Sequence, residues 1–301
     1  MSIQKINPNY DSITYDDILN CKNLHVEEII KEFKKLVKLD CSKNVRSYCC
    51  NKIIYHYQLK NMLKTKRDKN GFKLLEDIFN DEDLKKKLID KTIKMNRRKY
   101  SYILPVDIYE AYRRNGSILC FKAPTTKHLC LKYNATSMLD FTAGWGGRLL
   151  GARSLNIDYI GIDTNINLKE GYDKMIEKFG GTMIWDSCLN VDFSKLNYDF
   201  VLTSPPYVNL EIYENMTLFE SKEKYYKMFL IPMIEKSLKY IKNNGKVCIN
   251  ISKDMYNDYI KYGGTRCIEK VELLKQKDSQ TNSEYIYVFE KLSFKSKLLD
   301  Y

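Results

Sequence analysis

Ser137-Met138-Leu139-Asp140-Phe141-Thr142-Ala143-Gly144-Trp145-Gly146-Gly147-Arg148-Leu149-Leu150 passes from a β-rich run through a glycine-rich turn into a helical pattern. Glycine at such a turn lets the backbone bend tightly and approach a ligand closely. About twenty residues on, Ile160-Gly161-Ile162-Asp163 ends a second apolar run in a carboxylate, placed to accept both hydroxyls of a ribose. Tight strand-to-helix packing also calls for glycine, so the turn and Asp163 carry the reading together. They predict a parallel α/β unit holding a nucleoside-containing cofactor.

Outward from that stretch, strand and helix patterns alternate. β-rich runs fall at Ser137–Thr142, Tyr159–Asp163, Thr182–Asp186, Phe200–Thr203 and Lys246–Ile251. Helical patterns at Gly147–Ser154, Asn167–Phe179 and Lys222–Lys242 separate them, and two runs without a clear helix between, Lys270–Gln276 and Glu284–Lys291, close the chain. This alternation predicts a seven-stranded, mostly parallel sheet with helices on both faces. Upstream the rhythm is helical only. Asp16–Leu39, Val45–Leu63 and Gly71–Ile93 read as amphipathic helices, and Asn115-Gly116 marks a turn after Ile108–Arg114. The expected division is a helical unit over 1–116 and the sheet unit over 117–301.

A second motif is sharper. Asp199-Phe200-Val201-Leu202-Thr203-Ser204-Pro205-Pro206-Tyr207 carries an apolar strand straight into a proline pair. In open sheets, ligands sit beyond the carboxyl ends of strands where the strand order reverses, which sets this loop beside Gly144–Gly147. The prolines lack N–H groups and fix φ, and Ser204 is held extended by the proline after it. The loop therefore offers acceptors, the Ser204 hydroxyl and the Pro205 carbonyl, and almost no donors. With the flat face of Tyr207 beside them, these acceptors suit a planar substrate bearing an –NH2 group, such as a nucleobase.

Charge is unevenly placed along the 301 residues. Residues 1–135 carry 28 Lys+Arg against 16 Asp+Glu, whereas 136–301 carry 22 of each, so the whole net charge of +12 lies in the first part. It is densest at Lys64, Lys66 and Arg67, at Lys85–Lys87, and at Arg97, Arg98 and Lys99. A basic region of this kind fits a polyanion, nucleic acid first, although a lysine-rich composition arises from nucleotide bias as well. Tyr48, Lys52, Tyr55, Tyr57 and Lys60 interleave aromatic and basic groups, which fits nucleic acid and helix core alike. The longest strongly apolar run, Met228–Ile234, is broken by Pro232 and far too short to span a membrane. No secretory signal is expected at Met1–Lys5, so the nine cysteines are expected as reduced thiols in an intracellular setting. Cys21, His25, Cys49, Cys50 and His56 follow no zinc spacing, and no metal is expected.

At Asp140–Ala152 and Thr203–Tyr207 the chain resembles class I S-adenosylmethionine-dependent methyltransferases. More narrowly it resembles the DNA amino-methyltransferases with (Asp/Asn/Ser)-Pro-Pro-(Tyr/Phe/Trp), including those of phages and large DNA viruses. The likeness covers residues 118–301. It implies a Rossmann-like fold and S-adenosyl-L-methionine as cofactor. Asp140, Gly144 and Gly146 would line the methionine end, flanked by Thr142 and Trp145. Asp163 would hold the ribose, with Thr164 after it also at the cofactor, and Asp186 with Ser187 would meet the adenine amine. The segment Phe121–Pro124 would fold over the methionine carboxylate. Ser204, Pro205, Pro206 and Tyr207 would grip the target base.

The resemblance implies DNA methylation of the restriction-modification kind, at cytosine-N4 or adenine-N6. A base flipped from the duplex would be methylated directly on its amine. Ring-carbon methylation of cytosine needs a thiolate, usually in a Pro-Cys pair, and none occurs here. The family's target-recognition region has no room between the two motifs, which shifts recognition onto Lys64, Lys66, Arg67, Arg97, Arg98 and Lys99. Those helices would equally suit RNA or a partner subunit, including a second copy. The alternatives are an RNA amino-methyltransferase acting on adenine or guanine and a non-catalytic nucleic-acid-binding subunit.

Overall fold

The computed structural model describes residues 12–67, 72–96, 102–114, 118–207, 211–212, 219–273 and 284–291. The chain opens with α1 (Tyr15–Leu19), α2 (Val26–Lys38), α3 (Asn51–Lys64), β1 (Lys66–Arg67), α4 (Leu75–Phe79), α5 (Glu82–Asn96), α6 (Pro105–Arg113) and α7 (Ala123–Lys132). It continues through β2 (Ser137–Asp140), α8 (Gly147–Arg153), β3 (Asp158–Asp163), α9 (Lys169–Phe179), β4 (Thr182–Trp185), β5 (Phe200–Thr203) and β6 (Glu211–Ile212). Then come α10 (Lys222–Tyr225), a π-helical turn at Tyr226–Leu230, α11 (Ile231–Tyr240), β7 (Lys246–Ser252), α12 (Lys253–Lys261), β8 (Glu269–Glu272) and β9 (Glu284–Glu290).

Seven strands form one sheet in the order β4-β3-β2-β5-β7-β9-β8, with β9 antiparallel to both β7 and β8. The other pairings are parallel. This is the seven-stranded, mostly parallel, Rossmann-like sheet that the sequence predicts. After β2 the chain steps outward to β3 and β4, then crosses back to β5 and β7, so the order reverses between β2 and β5. Side chains alternate across the sheet. Met138, Leu202, Cys248 and Val288 pack under α3, α7, α8 and α9, while Leu139, Val201, Val247, Ile249 and Phe289 pack under α11 and α12.

The helices before residue 116 are docked onto this sheet. Ile53, Ile54 and Met62 of α3 join the core on one face, and Leu59 and Leu63 of the same helix join Leu75, Leu88, Ile108 and Tyr112 in a separate helical core. Lys127 of α7 is buried and donates from Nζ to the carbonyls of Leu36, Val37 and Leu39, each at 2.8 Å, which ties the end of α2 to α7. The proposed division at 116, like the Asn115-Gly116 turn, lies outside the described residues.

Two predicted helices are broken by local caps. Asp16–Leu39 becomes α1 and α2 because Asn20 folds back on the Asp16 carbonyl through its N–H at 3.1 Å and Nδ2 at 2.8 Å. A new helix then starts at His25, whose N–H is taken by Glu28 at 2.9 Å. Gly71–Ile93 becomes α4 and α5 because Asp81 Oδ1 accepts the N–H groups of Asp83 and Leu84, both at 3.0 Å. The sequence pattern also missed α7, α12, and the short antiparallel ladder of β1 with β6.

Candidate active site

A cavity of about 1430 Å3 opens where the strand order reverses, at the carboxyl ends of β2, β3, β5 and β7. It is larger than the roughly 300–1,000 Å3 typical of a site for one small ligand. The helical part supplies its far wall through residues such as Leu24, Tyr48, Lys52, Tyr55 and Arg113. Of the interleaved aromatic and basic residues, Tyr48, Lys52 and Tyr55 therefore face the cavity, while Tyr57 packs against the core.

Beneath the floor lies a buried polar network. Asp140, at the end of β2, is 0% exposed, and its Oδ2 accepts from Arg148 Nε at 2.7 Å and from the Tyr159 hydroxyl at 2.9 Å. Its Oδ1 accepts from Thr203 Oγ1 at 2.9 Å. Burial alone would lower the Arg148 pKa, but the Asp140 carboxylate beside it holds it above its ordinary value. Burial and then the Asp140 charge keep the Tyr159 phenol protonated, so it remains a donor. Thr142 Oγ1 lies 2.5 Å from Thr203 Oγ1 and donates to the Ser204 carbonyl at 3.1 Å. The end of β2 is thereby locked to the start of the Ser-Pro-Pro-Tyr loop.

Three residues expected to line the cofactor pocket sit off its wall. Asp140 is consumed by this network. Gly146 is left-handed at φ +92°, and a Cβ there would stand 2.5 Å from Met175 Cε, so it serves the packing of α9. Pro124 is buried in the first turn of α7. Phe121, Thr142, Gly144, Trp145, Asp163, Thr164, Asp186 and Ser187 do line the cavity, and so do Gly147 and Arg148. Trp185 does not; it packs edge-on against Tyr172 at 5.7 Å.

Gly144 turns at φ +59°, and its N–H donates to Asp163 Oδ2 at 2.8 Å. Asp163 Oδ1 accepts the Asn165 N–H at 2.9 Å. Each carboxylate oxygen retains a second lone pair, which is what a vicinal diol needs. Burial raises the Asp163 pKa above its ordinary value, with the Asn165 and Gly144 N–H groups pulling the other way. Asp186 Oδ1 accepts from Ser187 N–H at 2.6 Å and Asn190 Nδ2 at 2.9 Å, which shapes the turn after β4. The wall closes tightly at Gly147, where a Cβ would meet the Phe121 carbonyl oxygen at 1.9 Å. The Arg148 guanidinium lies 5.2 Å from the centre of the Phe121 ring.

Ser204, Pro205, Pro206 and Tyr207 line the same cavity. Tyr225, fully buried and kept protonated by burial, donates to the Pro206 carbonyl at 2.9 Å. Ser204 Oγ donates to Asn250 Oδ1 at 3.2 Å, and Asn250 Nδ2 donates to the Tyr285 carbonyl at 3.3 Å. Asn250 was not foreseen. A lone amide inside the apolar strand Lys246-Val247-Cys248-Ile249-Asn250-Ile251 was the signal, because a buried polar side chain needs a partner.

Lys64 and Lys66 are exposed at the end of α3 and in β1. Lys66 pairs with Ile212 and Arg67 with Glu211, only four residues past Tyr207, so at most about 15 Å of chain separates that ladder from the loop. The side chain of Arg67, and all of Arg97, Arg98 and Lys99, lie outside the described residues. Among the described residues no group of three or more His, Cys, Asp or Glu could hold a metal ion, and no helix is long and apolar enough to cross a membrane.

No protein-family model matches the chain, and no curated protein does. Among solved structures, it is similar to TrmN from Thermus thermophilus, at 13% identity and a TM-score of 0.44 over 56% of this chain. That match spans 49% of the TrmN chain, about half its length. It is similar to an rRNA methylase from Streptococcus thermophilus, at 13% identity and a TM-score of 0.41, over 59% of this chain and 100% of that one. A Listeria monocytogenes protein assigned to the class I S-adenosylmethionine-dependent methyltransferases matches over 89% of this chain and 90% of its own, at 14% identity and a TM-score of 0.45.

Proposed function

We propose that the chain is an S-adenosylmethionine-dependent methyltransferase acting on the exocyclic amine of a base in nucleic acid, DNA foremost, at cytosine-N4 or adenine-N6. The composition of the Ser204–Tyr207 loop carries the reading: all four residues line the cavity, a hydroxyl and an aromatic ring are among them, and the two prolines have no N–H to donate. The remainder of the cavity fits the cofactor. Asp163 would accept the ribose hydroxyls, Asp186 and Ser187 would meet the adenine amine, and the glycine turn at Gly144 and Gly147 would admit the methionine end. When bound, the cofactor supplies an electrophilic methyl group on a sulfonium centre.

The chain's own contribution is positioning and electrostatics. Ser204 Oγ and the Pro205 carbonyl would accept the two N–H bonds of the amine. These hydrogen bonds draw the nitrogen from planar toward tetrahedral and stabilise the positive charge that grows on it as its lone pair forms the new N–C bond. Serine is no base near neutral pH, so the surplus proton leaves to water. Stacking on Tyr207 would return roughly 1–3 kcal/mol of the few kcal/mol that flipping a base costs. Lys64, Lys66 and Arg67, strapped beside the loop by the β1–β6 ladder, would meet the phosphates.

The test incubates the full chain with isotope-labelled S-adenosylmethionine and separate pools of duplex DNA, single-stranded DNA and structured RNA. Nucleosides are then separated by mass spectrometry. Labelled N4-methylcytosine or N6-methyladenine from DNA supports the reading and names the base. Label in RNA alone keeps the chemistry and changes the substrate. Cofactor binding without label in any pool points to a non-catalytic subunit.

A further inference from the structure

We infer that Asn250 is a positioning residue that makes Ser204 a pure hydrogen-bond acceptor toward the substrate amine, a role that rests on the amine-methylation reading above. A hydroxyl has one proton and two lone pairs. The Ser204 proton is directed at Asn250 Oδ1 at 3.2 Å, with the Asn250 carbonyl behind it at 3.5 Å. The amide cannot be turned round, because its other end meets the Tyr285 carbonyl at 3.3 Å, and a carbonyl only accepts. Asn250 is 5% exposed, and the β7–β9 ladder pairs it with Ile286 and its neighbour Ile251 with Tyr285, so strand pairing fixes its place.

The direction of that one proton decides the chemistry. Aimed at the amine, it would hydrogen-bond the nitrogen lone pair that has to form the N–C bond. Aimed at Asn250, it leaves only lone pairs on the cavity side, and these can take an amine N–H. An amide does not bind a proton near neutral pH, so the Ser204–Asn250 pair orients without relaying: the amine proton leaves by solvent.

The experiment is a double-mutant cycle of Asn250→Ala and Ser204→Ala, with Asn250→Asp as the conservative variant. Turnover is measured on the nucleic-acid pool that the unaltered protein methylates, and cofactor binding and thermal unfolding are measured on all variants. Asn250→Ala is expected to lower kcat about 10- to 100-fold while cofactor affinity stays within about twofold. In the Ser204→Ala background the same change is expected to cost less than about twofold, because the proton it orients is gone. Asn250→Asp retains an acceptor oxygen for Ser204 but sets its second oxygen against the Tyr285 carbonyl, so it is expected to recover only part of the loss. Losses that multiply in the double variant, or a loss of cofactor binding in step with turnover, overturn the assignment alone. Absence of turnover by the unaltered protein on every pool removes the functional reading and this role with it.

Discussion

Arg148 Nε meets Asp140 Oδ2 at 2.7 Å, with both side chains at 5% exposure or less, and that pair is the pin on which two loops turn. Through Asp140 the pair reaches Thr203, and through Thr203 and Thr142 it reaches Ser204. The carboxylate at the end of β2 therefore acts on the site from below. Asp140→Asn leaves a buried guanidinium without its counter-charge. It is expected to lower stability by about 3–5 kcal/mol, read from urea unfolding, and to lower turnover as the loop loses its anchor. Unchanged unfolding would show that the pair is not the anchor it resembles.

Asp163 gives a pH dependence with a definite sign. Burial leads in raising its pKa, so the folded chain holds this proton more tightly than the unfolded chain does. The stability it contributes is full below the unfolded value and declines as pH rises through the window up to the folded value. Diol binding needs the ionised form, so S-adenosylmethionine affinity is expected to rise across that same window, which opens at the ordinary aspartate value and extends above it. Calorimetric titration over pH checks this. Asp163→Asn is expected to weaken binding and flatten the profile, and an unchanged slope in that variant would assign the titration to another group.

For the acceptor loop, Tyr207→Ala and Pro205→Ala are each expected to reduce methyl transfer by at least ~100-fold while sparing cofactor affinity. Single-turnover rates and equilibrium dialysis separate the two effects. If both variants kept normal rates, the base would bind elsewhere in the cavity.

How much of this was legible follows from the range of the forces involved. Phe200–Thr203 and Tyr159–Asp163 announced themselves because apolar strands in a covered parallel sheet have local signatures. The glycine turn and the proline pair were visible for the same reason, since φ restrictions act within a few residues. The buried network around Asp140 was not visible because its partners Arg148, Tyr159 and Thr203 converge only after three strands pair. Asn250 escaped because its partner, Ser204, lies 46 positions away. The β1–β6 ladder, two residues long, has no periodicity to detect at all. Residues Arg97, Arg98 and Lys99 stay where the sequence left them, as an expectation of phosphate contact.

Gly147 sets how closely α8 approaches the Phe121 segment. A Cβ at 1.9 Å from a backbone carbonyl oxygen cannot be absorbed by a side-chain rotation, so the segment or the helix must move. Gly147→Ala is expected to cost at least about 1–3 kcal/mol of stability and to weaken cofactor binding in parallel. Chemical denaturation and calorimetry on the same sample check both. An alanine variant with full affinity would mean that the segment 121–124 does not shape the pocket.

Lys64 and Lys66 test whether the helical part meets phosphates. Both are exposed, and β1 holds Lys66 against the strand that follows the acceptor loop. If each neutralises one phosphate of duplex DNA, replacing both with alanine should reduce the slope of log affinity against log salt by about 2, nearly uniformly across sequences. Fluorescence anisotropy at several salt concentrations reads that slope directly. Folding should be unaffected, because neither side chain packs in the core. A slope equal to that of the unaltered chain would place the polyanion on another face, and the ladder would then serve only to hold the loop.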